Sequence, residues 1–465
     1  MLQNNKLPKN WKIVNLKNIT ESIQYGYTES SSKSNIGPKF LRITDIQENK
    51  VSWDNVPYCK IDSKIKHKYL LKDGDLLFAR TGATVGKSFL IKGQIPEAVF
   101  ASYLIRVRIN LDINETYISY FFHSPNYWSQ ITEGQVGIGQ PNVNGTKLGQ
   151  LQIPIAPIEN QNIIVSKIEE LFSELDKGIE NLKTAQQQLK IYRQSVLKWA
   201  FEGKLTKEWR KRGTNLNTAS ILLNKIQVEK ENEAKRIGKK LKPTNSLTVN
   251  DISQLSKLPE NWRWVSLGEV ISDLTDYHAN GSYVKIKENV ELLDIPNYAI
   301  MIRATNFEKN NFNENLKYIT ENAYNYMSRS KLFGGEILIG KIGNAGRIYF
   351  MPTLKSPSSL AMNLFALRFN VDVNKYVYYH LLSSFSKQEI SKYVKGVGNP
   401  TIDKNSIRSL SIALPSFEEQ YQIVQEIESR LSVADKMEES ITQSLQQAET
   451  LRQSILKKAF SGELI

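Results

Sequence analysis

Arg193-Gln194-Ser195-Val196-Leu197-Lys198-Trp199-Ala200-Phe201-Glu202-Gly203-Lys204-Leu205 returns 259 residues later as Arg452-Gln453-Ser454-Ile455-Leu456-Lys457-Lys458-Ala459-Phe460-Ser461-Gly462-Glu463-Leu464. A repeat at such a distance means one unit used twice. Upstream, Leu7-Pro8-Lys9-Asn10-Trp11 matches Leu258-Pro259-Glu260-Asn261-Trp262 at an offset of 251. Leu41-Arg42-Ile43-Thr44-Asp45-Ile46 pairs with Ile302-Arg303-Ala304-Thr305-Asn306-Phe307, and Gly74-Asp75-Leu76-Leu77-Phe78 with Gly335-Glu336-Ile337-Leu338-Ile339, both at 261. Gly139-Gln140-Pro141 pairs with Gly398-Asn399-Pro400 at 259. The jump from 251 to 261 puts an insertion inside the second copy. Similar ends around dissimilar middles suggest a common scaffold carrying two different readers.

The copies divide the chain. Residues 1–155 read as a mixed α/β domain, with short strand-like runs such as Asp75–Ala79 and Leu104–Val107 between turn residues. Residues 156–205 read as a long helix, 206–257 as a charged connector, 258–413 as the second α/β domain and 414–465 as the second long helix. Each helix follows a proline-bearing segment and carries an apolar seam at roughly heptad spacing. The first seam is Ile164, Ile168, Leu171, Leu175, Leu182, Ala185, Leu189, Tyr192, Val196; the second is Ile427, Leu431, Ala434, Ile441, Leu445, Ala448, Ile455. Seams this long predict an antiparallel coiled coil, with the domains at opposite ends about a pseudo-twofold axis. Two amphipathic helices packed on their own domains are the alternative. Gly178 lies on the first seam beside Ile179, and the sequence leaves both a local defect and a bend open there.

Charge separates the roles. The chain carries a formal +14. Residues 1–155 hold +7 (19 basic, 12 acidic), the connector +7 (12 and 5) and residues 258–413 +4 (18 and 14). The helices hold 0 (7 and 7) and −4 (5 and 9). The positive surplus therefore belongs to the globular domains and connector, which points to a polyanion there and to spacing or protein docking on the helices. A single cysteine, Cys59, excludes an internal disulfide and a multi-cysteine zinc site. No apolar stretch has the length of a signal or spanning helix, so a cytoplasmic protein is expected.

Gly82-Ala83-Thr84-Val85-Gly86-Lys87-Ser88 imitates a phosphate-binding loop but has three residues between its glycines where such a loop needs four. Its counterpart Gly343-Asn344-Ala345-Gly346-Arg347 has two. We read both as turns presenting Arg80, Thr81 and Lys87, or Lys341, Asn344 and Arg347, to DNA; a plain hairpin with solvated basic residues is the alternative. Gln140, Asn142 and Asn144, with Asn399 and Thr401, lie on glycine-rich loops whose amides and hydroxyls match base edges. Arg42, Thr44, Arg303 and Thr305 complete the candidate contacts. His67, His123, His278 and His380 show no metal-ligand spacing. No cofactor loop, adenine-methylating motif or nuclease constellation stands out, so the chain reads as non-catalytic and without cofactor.

The order of domain, helix, basic connector, domain, helix resembles the specificity subunits of type I restriction–modification systems. The residues that carry the likeness are Pro157-Ile158-Glu159-Asn160-Gln161, Pro415-Ser416-Phe417-Glu418-Glu419-Gln420, and Leu197…Ala200-Phe201-Glu202-Gly203-Lys204-Leu205-Thr206…Trp209-Arg210, with its echo at Leu456…Leu464. The resemblance implies two target-recognition domains, each reading half of a bipartite site in double-stranded DNA. It implies helices that set the gap and dock two methyltransferase subunits, for which Leu171, Leu175, Leu182, Leu189, Leu431, Ile441 and Leu445 are the candidates. S-adenosylmethionine would sit in those partners, and motor-nuclease subunits would join them. A coiled-coil scaffold binding nucleic acid without sequence preference is the competing expectation.

Overall fold

The computed structural model describes residues 7–47, 49–133, 143–213, 217–238, 244 and 246–465. It contains two compact units, residues 1–185 with 440–465, and residues 186–439. Each holds a mixed α/β domain. Gln140 and Asn142 lie outside the described residues.

In the first unit, strand Lys12–Asn15 pairs antiparallel with Gln152–Ile155, so the two ends of the domain meet. Behind them lies a four-stranded antiparallel sheet in the order Thr20–Tyr25, Leu104–Ile109, Leu76–Ala79, Ser88–Leu90. Its strand Leu76–Ala79 is buried at all four positions, which is why it reads as an unbroken apolar run. Lys39–Leu41 and Ala98–Phe100 form a parallel pair beside it.

The second unit repeats the plan. Arg263–Ser266 pairs with Ser411–Leu414, and the sheet runs Asp273–Asp276, Leu364–Arg368, Ile337–Gly340, Ile348–Phe350. Here the parallel pair Ala299–Ile302 and Ser358–Leu360 gains Tyr318–Ile319 and Lys331–Leu332 to become a second four-stranded sheet. The insertion marked by the offsets holds the helix Tyr283–Asn289, which Ser282 caps through the Lys285 N–H.

The long helices are Ile158–Phe201 and Phe417–Ser461. In the first unit, the opening turns of one (Ile164, Val165, Ile168) share a core with the closing turns of the other (Ile455, Leu456, Ala459, Phe460). In the second unit, Val196, Leu197 and Phe201 share a core with Ile423, Val424 and Ile427. Start against end in each case makes the pairing antiparallel. Ion pairs follow the same sense: Asp176 with Arg452 in the first unit, Arg193 with Asp435 (2.6 Å) and Glu438 (2.8 Å) in the second. The first helix runs unbroken through Gly178, at which a Cβ would meet nothing within 4 Å.

The repeated motifs touch one another. Gly203 ends the first long helix at φ +69°, and a Cβ there would lie 2.5 Å from Cγ of Pro259. Gly462, at φ +78°, is closed in the same way by Pro8. Only glycine combines that backbone with that approach. Among the described residues, no helix is long and apolar enough to cross a membrane.

Candidate nucleic-acid interface

The glycine run after Arg80 joins two antiparallel strands, whereas a phosphate-binding loop would lead into a helix. Gly82 (φ +82°) and Gly86 (φ +81°) make the turn. The Gly86 carbonyl accepts the Tyr127 hydroxyl at 2.5 Å, and a Cβ at Gly86 would stand 3.2 Å from Ile131 Cγ2. The glycines thus serve a tight, packed turn.

That turn meets the loop before the short helix Gly145–Gly149. The Arg80 carbonyl accepts the Val143 N–H at 3.0 Å. The Arg80 guanidinium lies 5.0 Å over the ring of Tyr25, and its Nε is buried without a hydrogen-bond partner. The Tyr25 hydroxyl accepts the Gly145 N–H at 2.9 Å, and Asn144 caps the helix through the Lys147 N–H at 2.8 Å. Arg80 and Asn144 are therefore brought together. Lys87 is exposed with no ion pair among the described residues, and Thr81 is half-buried.

The second unit builds the same corner from different residues. The Lys341 carbonyl accepts the Ile402 N–H at 3.2 Å, the counterpart of Arg80 with Val143. Gly343 N–H donates to the Pro400 carbonyl at 2.9 Å, and Thr401 and Lys395 exchange two backbone bonds at 2.8 and 2.9 Å. The turn at 341–347 and the loop at 395–401, which carries exposed Asn399, are thus one surface. Lys341 carries an ion pair: its Nζ lies 2.8 Å from Asp276 Oδ2. Lys404 reaches the other oxygen, also at 2.8 Å. Burial would raise the Asp276 carboxyl, but the hydrogen bonds from Lys341 and Lys404 carry it below its ordinary range. Asn344 and Arg347 likewise turn to Glu308, as does the Tyr349 hydroxyl at 3.2 Å.

Arg42 is fork-paired to Asp45 within its own turn, at 2.7 and 3.0 Å, with its remaining bond to Ser31. Arg303 donates to the Asn315 carbonyl at 3.1 Å, while its Nε is buried and unpartnered. Thr44 and Thr305 are exposed. Thr305 shares the helix Ala304–Glu308 with Glu308, which joins it to the Asn344 turn.

Sequence reasoning missed Tyr25, Asp276, Glu308 and Lys404. Tyr25 and Asp276 hold the same place, since Tyr25 opposes Ile105 and Asp276 opposes Phe365 in matching strands. The offset of 251 would have aligned them.

Leu171, Leu175, Leu182, Leu189, Leu431, Ile441 and Leu445 are all half-buried along the helices. The exposed apolar side chains of the helices are others, including Ile163, Ile191, Val433, Met437 and Leu451. His380 is fully buried, and among the described residues no group of three potential metal ligands occurs. Cys59 is buried, and burial pushes its thiol up to about 11.

A family model described as the type I restriction modification DNA specificity domain matches residues 8–184 and 259–449. The chain is 24% identical over 474 residues to the type I restriction enzyme EcoKI specificity subunit of Escherichia coli (strain K12), spanning 99% of this chain and 90% of that one. It is 25% identical over 350 residues to the EcoBI specificity subunit of Escherichia coli, spanning 74% of this chain but 65% of that one. Its fold is similar to the crystal structure of the HsdS subunit from Thermoanaerobacter tengcongensis (TM-score 0.54, 18% identity, 99% and 98% of the two chains). It is also similar to a chain solved in work on complex assembly and conformational transition of the type I R-M system (TM-score 0.68, 19% identity, 99% and 100%).

Proposed function

The chain belongs to the type I restriction–modification DNA specificity family, and on that premise we propose that each α/β domain reads one half of a bipartite DNA site. The observation that carries this reading is the corner found in both units. A basic residue, Arg80 or Lys341, heads a tight turn tied by backbone hydrogen bonds to a polar loop. Phosphate contacts would supply affinity and register; side chains of these loops would supply base choice. The absence of net positive charge on the long helices supports their role as spacers. They would fix the unread gap and dock two methyltransferase subunits, which carry S-adenosylmethionine and methylate adenine, with motor-nuclease subunits joining for cleavage. The chain itself is read as non-catalytic and cytoplasmic. Its exposed Ile191, Val433, Met437 and Leu451 suit the docking role better than the half-buried seam leucines.

The test is single-molecule sequencing of methylated adenines in cells with and without the gene. A two-part motif with a fixed gap should vanish on deletion. Replacing residues 1–155 by those of a relative should change one half of that motif only. If both halves change, or DNA binding shows salt dependence without sequence preference, the reading fails.

A further inference from the structure

Three positions change together between the two corners. The first unit has Tyr25, Arg80 and Gly145; the second has Asp276, Lys341 and Lys404 at the matching places. In the first, the arginine rests on an uncharged ring, and a Cβ at Gly145 would lie 3.2 Å from Ile23 Cγ2 and 3.6 Å from the Tyr25 hydroxyl. A side chain there would crowd Ile23. In the second, the ring is replaced by a carboxylate, and the glycine by a second lysine that grips it.

We propose that Asp276, Lys341 and Lys404 form a preorganised donor cluster that reads a guanine edge in the half-site of the second unit, with Asp276 as the positioning residue that sets this specificity. The proposal rests on the reading that this corner faces DNA.

Two ammonium groups and one carboxylate leave a single net positive charge. Each lysine has three donors and gives one to Asp276, so four remain. Affinity for phosphate follows charge, whereas a base edge is read by donors in fixed places. Pairing to Asp276 therefore lowers the pull of any passing phosphate and keeps the hydrogen-bonding heads. It also immobilises them. The Asp276 side chain is 7% exposed, and both ammoniums lie over the Phe365 ring, at 5.3 and 5.8 Å. Guanine offers two adjacent acceptors, N7 and O6, in the major groove, and lysine or arginine is their usual partner. Lys404 also borders an open depression of about 520 Å³ lined by Tyr393, Asp403, Asn405, Ser406 and Ser409.

The experiment uses the chain assembled with its modification subunits. Once the methylated motif is known, each base pair of both half-sites is varied in turn, and affinity is measured against salt. Asp276→Asn should lower discrimination at one G·C pair of the second half-site about tenfold or more. It should also steepen the log–log salt dependence by about 0.9, as one further phosphate is engaged. The first half-site should be unaffected. Lys404→Met, a substitution of a half-buried side chain, should lose the same G·C preference without steepening. A purely structural carboxylate would lower the melting temperature and leave the half-site preference intact, and that result overturns the proposal. If Lys341→Met and Lys404→Met also leave binding unchanged, DNA reading by this corner falls as well. If they weaken binding while Asp276→Asn changes neither quantity, only the role given to Asp276 falls.

Discussion

Nε2 of His380 accepts the backbone N–H of Ala413 at 3.1 Å, inside the core of the second unit. In the first unit the same two places, 259 residues earlier, hold Phe121 and Pro154. Both aromatic rings pack on the phenylalanine that closes a long helix, His380 on Phe201 at 4.7 Å and Phe121 on Phe460 at 5.3 Å. Proline has no N–H, so a side chain without an acceptor suffices beside it. Where alanine brings an N–H, the ring must supply an acceptor.

His380→Phe alone should leave the buried Ala413 N–H unpaired and cost about 1–3 kcal/mol. Adding Ala413→Pro removes that donor and should recover most of the loss. Urea unfolding of the four-member mutant cycle measures it. A double variant no more stable than the sum of the singles would show that the two residues are not coupled.

Burial holds the His380 imidazole down to about 3. The unfolded side chain titrates near about 6.5, so between these values the unfolded state binds the extra proton. Stability should fall as the pH drops through that window, by up to about 1.4 kcal/mol per unit from this residue. The His380→Phe/Ala413→Pro double variant should show a shallower acid limb than the parent from pH 6.5 to 4. Identical limbs would refute the assignment.

Glu419, with a side chain 2% exposed, joins three elements of the second unit. It accepts from the Trp262 indole at 2.8 Å and the Thr206 hydroxyl at 2.7 Å, and it pairs with Arg210. Glu419→Ala would strand the Trp262 indole N–H and the Thr206 hydroxyl and leave the Arg210 charge without its carboxylate, and should cost about 3–5 kcal/mol. Denaturant unfolding monitored by tryptophan fluorescence should place Glu419→Gln between it and the parent, because the amide keeps one acceptor.

Two glycines should respond in opposite directions. Gly203→Ala forces a Cβ into Pro259 at a positive φ and should destabilise by about 1–3 kcal/mol. Gly178→Ala adds a methyl to an open position inside a helix and should stabilise by about 0.5–1 kcal/mol. Thermal melts of the two variants decide it.

Lys87 is exposed and free of ion pairs among the described residues, so Lys87→Ala should weaken DNA binding alike for all sequences. The slope of log affinity against log salt should become shallower by about 0.9 if it meets one phosphate. Arg347→Ala should change the slope less, because Glu308 already offsets that charge. An unchanged slope for Lys87→Ala removes it from the interface.

The duplication, the two α/β domains and the long helices are legible in the amino-acid sequence alone. Their signals are local: a buried run such as Leu76–Ala79, a heptad seam, and a motif repeated at a fixed offset. The candidate site was only half legible. Arg80, Lys341, Asn344 and Arg347 were found because glycine turns announce themselves. Which of them are neutralised was not, because Asp276 lies 65 residues from Lys341 and 128 from Lys404, and Glu308 lies 39 from Arg347. No local pattern marks a carboxylate that arrives from another strand.

By itself, then, the sequence determined the repeat, its frame and the partition of charge, since these depend on composition and on spacing along the chain. The tertiary structure alone decided that Tyr25 lies beneath Arg80 while Asp276 clamps Lys341, and that Pro154 spares the first unit the acceptor His380 supplies in the second. Hydrogen bonds and ion pairs act over about 3 Å in space, and folding alone brings such distant positions that close.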